Sequence, residues 1–84
     1  MPKLALLNDV LVRGYVNVYF DLAKIYFEEK DFDKAIQFYQ RGLQIDSWRV
    51  DMVFELACAY KSKGLYNQAQ ERFGQALALK PSPV

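Results

Sequence analysis

Apolar residues recur along this chain at helical spacing, and no stretch shows the period-two alternation of a strand. Over residues 16–29, Val16, Tyr19, Phe20, Leu22, Ala23, Ile25, Tyr26 and Phe27 leave almost no polar face. That is the pattern of a helix covered on more than one side. The run Glu28-Glu29-Lys30-Asp31 interrupts it, and Asp31 is a suitable N-cap for a second helix reaching Ile45. This helix carries Phe32, Ala35, Ile36, Tyr39, Gly42, Leu43 and Ile45 as one stripe. A turn of only a few residues between the two predicts an antiparallel pair. Asp46-Ser47-Trp48-Arg49 makes the next turn, with Ser47 as candidate cap and Trp48 expected to pack across the junction, the alternative being an anchor for a partner. A third helix follows over residues 50–63. Gly64 stops it, a task that falls to Lys30 after the first. Tyr66, Ala69, Phe73, Ala76, Leu77 and Leu79 carry a last helix, ended by Pro81. Ahead of all these, Leu4, Leu7 and Leu11 predict a short helix over residues 3–12, stopped by Gly14. The pattern predicts five helices running up and down.

Two parts of the pattern are the same pattern. Shifting residues 16–47 by 34 positions lays Val16 on Val50, Phe20 on Phe54, Leu22 on Leu56, Ala23 on Ala57, Tyr26 on Tyr60, Ala35 on Ala69 and Leu43 on Leu77. Conservative pairs fill the same register: Phe32 with Tyr66, Tyr39 with Phe73, Ile45 with Leu79, Asp21 with Glu55. A fixed period of this size marks a repeat array, in which one unit cannot bury its apolar face alone and stacks on the next. The organisation that follows is an N-terminal helix over 1–15, a degenerate half-repeat or cap, then repeats over 16–49 and 50–84.

Composition narrows the chemistry. At 84 residues with 52% hydrophobic and 25% charged, the chain suits one small folded domain rather than a disordered segment. Eleven Lys and Arg against ten Asp and Glu give a net charge of +1, so no overall field recruits nucleic acid or an acidic membrane. No apolar run approaches the roughly 18 residues of a membrane-spanning helix, and the N-terminus does not read as a signal peptide. A cytoplasmic protein is the expectation; a chain cut from a larger protein would have lost any targeting signal. There is no histidine, which removes Ser-His-Asp and Cys-His catalysis and His-metal sites. Cys58 is the single cysteine, within helical spacing beside Ala57 and Ala59, and reads as a small hydrophobe rather than a nucleophile. Glu28, Glu29, Asp31 and Asp33 are best explained as a solvated turn that favours the next helix N-terminus. The scattered glycines form no phosphate loop. No catalytic residue, metal or cofactor is expected, and an enzyme is the remotest reading.

The two copies resemble the tetratricopeptide repeat family, whose signature is W-x2-L-G-x2-Y, then A-x3-F, then P. The first copy reads Tyr19-x2-Leu22-Ala23-x2-Tyr26, then Ala35-x3-Tyr39, then Ser47. The second reads Val53-x2-Leu56-Ala57-x2-Tyr60, then Ala69-x3-Phe73, then Pro81. Tyr19 and Val53 stand for the tryptophan, Ala23 and Ala57 for the glycine, Ser47 for the proline. Helical repeats of 35 residues that read RNA fit less well, because the 34-residue period is unbroken and the charge is balanced.

The resemblance implies an all-α, right-handed superhelix of helix pairs whose first helices line a concave face that holds a peptide or helix of a partner protein. In that register the concave residues are Asn17, Phe20, Lys24, Phe27 and Glu28 in the first copy, and Asp51, Phe54, Glu55, Cys58, Lys61 and Ser62 in the second. Phe20, Phe27 and Phe54 would form an apolar strip flanked by Lys24 and Lys61, suited to an apolar or amphipathic segment with an acidic element. The alternative is that these phenylalanines are simply core. Family members that grip a chaperone's C-terminal carboxylate use a Lys and Asn clamp; here those positions read Phe20, Lys24 and Glu55, and Glu55 would repel a carboxylate. A second possibility follows from the ends. Two repeats are fewer than the three usually needed, so Phe73, Leu77 and Leu79 of the last helix, with the Leu4, Leu7 and Leu11 face, would make a homodimer or pack on further repeats.

Overall fold

The computed structural model describes residues 2–79, with side chains over 11–79. Its order is α1 (Pro2–Glu28), α2 (Phe32–Ile45), α3 (Val50–Lys63) and α4 (Tyr66–Leu79). There are four helices among the described residues, not five, because Gly14 does not stop the first. A glycine inside a helix costs about 1 kcal/mol relative to alanine, too little to break a helix that has neither a proline nor a left-handed residue at that point. Leu4 and Leu7 fall on α1, but their side chains, like Pro81, lie outside the described residues.

Both helix-pair turns are built alike. Lys30 at φ 65° and Gly64 at φ 87° take the left-handed conformation, 34 positions apart. In each, the next residue's N–H reaches back into the helix, Asp31 to the Tyr26 carbonyl and Leu65 to the Tyr60 carbonyl, both at 2.9 Å. These bonds satisfy carbonyls that the helix end would otherwise leave open. Asp31 then caps α2, its Oδ1 accepting from the Lys34 N–H at 3.3 Å. The turn between repeats departs from expectation. Arg49, not Ser47, sits at the N-cap of α3, with no side-chain cap, and Asp46 holds the turn by accepting from the Trp48 N–H at 3.2 Å. Trp48 does not cross the junction; it is 76% exposed.

Each helix packs on its neighbours in sequence. Aromatic pairs run in opposite order along the two helices: Tyr19 and Phe20 meet Phe38 and Tyr39 in the middle of α2, and Phe27, further along α1, meets Phe32 at the start of α2. That order makes the pair antiparallel. Phe54 on Phe73 repeats the Phe20 on Tyr39 contact in the second pair. Between the pairs, α2 and α3 approach closely at Gly42, where an added Cβ would stand 2.7 Å from the Met52 sulfur. Gln40 donates to the Tyr60 hydroxyl at 2.8 Å further along, and Lys63 pairs with Asp33 at the far end. Tyr39, Met52, Leu56, Val16 and Val53 are the largest side chains completely enclosed.

Substituting the glycines separates their roles. Gly14→Ala, with nothing within 4 Å of the new methyl, should stabilise the fold by up to about 1 kcal/mol. Gly42→Ala should instead destabilise it by about 1 kcal/mol, since overpacking an enclosed methionine costs roughly 1–3 kcal/mol against the same helix gain. Urea unfolding of the two variants beside the wild type measures both.

Candidate functional site: the face shared by α1, α3 and α4

The residues expected to line the concave face divide into three groups. Phe20 belongs to the core: it is 9% exposed, beside Tyr39 at 6.0 Å, with Lys24 Nζ 4.6 Å and the Arg49 guanidinium 5.2 Å from its ring centre. Asn17 and Asp51 are held by Arg49. Its Nη1 donates to Asn17 Oδ1 at 3.1 Å, while Nε and Nη2 donate to the two Asp51 oxygens at 3.2 Å. Phe27, Phe54 and Cys58 do converge. With Glu55 and Tyr39 they line a half-open recess of about 190 Å³, room for one apolar side chain. Phe54 is 51% exposed there, and Phe27 and Cys58 are half-buried. Lys24 and Lys61 stand exposed along this face; Lys24 lies 3.8 Å from Asp21, an exposed pair that constrains it little.

A larger groove of about 890 Å³ opens beside the first and shares Phe54 and Glu55 with it. Its other walls are Val50, Asp51, Phe73, Ala76 and Leu77. Phe73 and Leu77 were expected on an uncovered flank, and Leu77 is 74% exposed; Leu79 is half-buried and outside the groove. Sequence reasoning missed Val50 and Ala76. The signal for them was the register itself, because Val50, Phe54, Phe73, Ala76 and Leu77 are Val16, Phe20, Tyr39, Gly42 and Leu43 moved by 34 positions. In the first repeat those positions are covered by α3: Val16 and Tyr39 are enclosed, and Gly42 touches Met52.

Burial sets the charge states around the small cavity. It raises the Glu55 carboxyl above its ordinary value, partly opposed by Lys24. It also raises the Cys58 thiol, with Glu55 adding to the effect, and pushes the Tyr39 hydroxyl far up, again with Glu55 contributing. Asp51 is different: burial works to raise it, but the hydrogen bonds and charge of Arg49 outweigh that and hold it low. A thiol kept protonated beside a carboxylate is a poor nucleophile. Among the described residues no group of three or more Cys, Asp or Glu side chains could hold a metal, and no helix is long and apolar enough to cross a membrane. The arrangement can receive an apolar group, flanked by one half-buried acceptor, Glu55, and two lysines.

Glu55 is a group whose folded-state proton affinity exceeds the unfolded one, so the fold binds more protons and loses stability as pH rises above its ordinary value of 4.5. Glu55→Gln should therefore raise the melting temperature at pH 7 and flatten the decline above pH 4.5. Removing that charge should also speed alkylation of Cys58 at neutral pH. Thermal melts across pH and a timed thiol-labelling assay measure the two effects.

Comparison with known protein families finds two matches, both to the tetratricopeptide repeat, over residues 16–48 and 50–83. A relative in cattle, the BBSome complex member BBS4, is 30% identical over 64 residues. That alignment takes in 76% of this chain and 12% of the bovine protein, so the chain spans about an eighth of its relative's length. The two matches flank Arg49 at the α2–α3 turn and together take in the other residues of the face described above. The chain belongs to the tetratricopeptide repeat family.

Proposed function

We propose that this protein binds a partner protein by anchoring one apolar side chain of it between Phe27, Phe54 and Cys58. Tetratricopeptide repeats are protein–protein interaction modules, and the cavity is the observation that carries the finer reading. Phe54 leaves half its surface in solvent although it is a large aromatic, and it forms one wall of a half-open recess of the volume of a single side chain. Aromatic anchor pockets of this kind supply most of the binding energy at small interfaces. Glu55 at the recess accepts from a backbone N–H of the bound segment, while Lys24 and Lys61 meet an acidic side chain at the rim. The bovine relative is named as a member of a multi-protein complex, which supports a binding rather than a catalytic role. The lack of histidine supports the same reading.

Selection from a random peptide library, followed by titration of the enriched peptides, tests this. The bound peptides should share one bulky apolar residue and should protect Cys58 from alkylation. Cys58→Lys, which fills the recess, should weaken them tenfold or more, about 1.4 kcal/mol, whereas Leu77→Glu outside the recess should not. Peptides that bind Cys58→Lys as well as the wild type and leave the thiol reactive would refute the proposal.

A further inference from the structure

The junction between the two repeats is a plug in a socket. The socket is Val16, Phe20, Tyr39, Gly42 and Leu43; the plug is the face of α3 that carries Met52, Leu56 and Ala59, all fully buried. Arg49 closes one edge by reaching Asn17 and lying over Phe20. Moving the socket forward by 34 positions gives Val50, Phe54, Phe73, Ala76 and Leu77, which line the open groove between α3 and α4. Moving the plug back by 34 gives Val18, Leu22 and Ile25 on α1, with Tyr15 in the place of Arg49. Val18, Ile25 and Tyr15 are each more than half exposed. Among the described residues, therefore, nothing fills this socket or covers this plug, and the two share one register.

We propose that a second copy of this chain docks head to tail, the outer face of its α1 seating in the groove between α3 and α4. The intramolecular junction supplies the geometry, and at the level of Gly42 the side chains that differ between the two change in compensating ways. At the filled junction a long methionine lies over a glycine, with no room for a further Cβ. At the open one the floor gains a methyl, Ala76 for Gly42, and the plug shortens, Val18 for Met52. Leu22 repeats Leu56 and every other plug and socket position stays apolar, but Ile25 stands where the filled junction has Ala59, so the free plug is bulkier at that end. Tyr15 falls over Phe54 with Asp51 beside it, an aromatic pair and a hydrogen-bond acceptor where the filled junction has Arg49, Phe20 and Asn17. The polar links at the rim do not carry over. The Gln40 to Tyr60 bond becomes Gly74 and Tyr26, and the Asp33 to Lys63 pair becomes Asn67 and Glu29. The contact between copies is therefore weaker than the junction within one, and reversible.

Because plug and socket are different surfaces, the contact is heterologous and extends beyond a dimer unless it closes into a ring. This separates it from a two-fold dimer built on α4 alone. Sedimentation velocity of the 84-residue chain over a series reaching millimolar concentration should show average mass rising from 9.8 kDa past that of a dimer. Leu77→Glu spoils the socket and Val18→Glu spoils the plug, both at exposed positions that leave the core untouched; circular dichroism confirms their folds. Each variant alone should remain monomeric, and an equimolar mixture should form a one-to-one complex that grows no further. A wild type that stays monomeric throughout overturns the proposal. So does a dimer abolished by Leu77→Glu but not by Val18→Glu, or a mixture of the two variants that fails to associate.

Discussion

The close approach of α2 and α3 at Gly42 is the constraint on which the rest of the molecule depends. Only a residue without a Cβ lets Met52 enter that space, and the entry of Met52 brings Leu56 and Ala59 against the first repeat. Each repeat by itself is a pair of helices with one apolar face uncovered, and a two-helix unit of this length does not bury enough surface to be stable alone. Packing at Gly42 joins the two pairs into one core, whose members come from α1, α2, α3 and α4 alike. Hydrogen bonds at Gln40 and Asp33 fix the register of that contact from its rim, but they are exposed or partly so and contribute modestly.

The same contact positions the site. Seating α3 on α2 carries Phe54 and Cys58 to within reach of Phe27 and Tyr39, so the small cavity lies across the junction rather than within either repeat. Burial at that seam raises both the Glu55 carboxyl and the Cys58 thiol. Arg49 secures the seam from its solvent edge, bridging Asn17 of one repeat and Asp51 of the other while covering Phe20. Repetition accounts for the groove as well: it is the first repeat's socket with nothing from the described residues in it.

Much of this was legible in the sequence. The 34-residue register, the antiparallel pairs, the Asp31 cap and the matched stops at Lys30 and Gly64 all follow from local chemistry that structure leaves unaltered. What failed were judgements about neighbours. Gly14 read as a helix stop because its flexibility is visible in sequence, whereas the helix continuing on both sides of it is a collective property. Phe20 and Phe54 occupy one register position and looked equivalent; one is roofed by Arg49 and the other is half in solvent. Trp48 was expected in the junction, but it stands exposed in the turn between the repeats. Sequence identifies which residues are interchangeable between repeats, and the neighbours each repeat has among the described residues decide which of them are covered.

If the junction at Gly42 organises the fold, protection from the solvent should follow the number of neighbours each helix has. Helices α2 and α3 are flanked on two sides, α1 and α4 on one. Native-state hydrogen exchange, followed at protein concentrations low enough to keep copies apart, reads this directly. Amides of α2 and α3 should exchange slowest, and those of α4 distinctly faster, although α2, α3 and α4 are all 14 residues long. Protection in α4 equal to that in α2 would contradict the account.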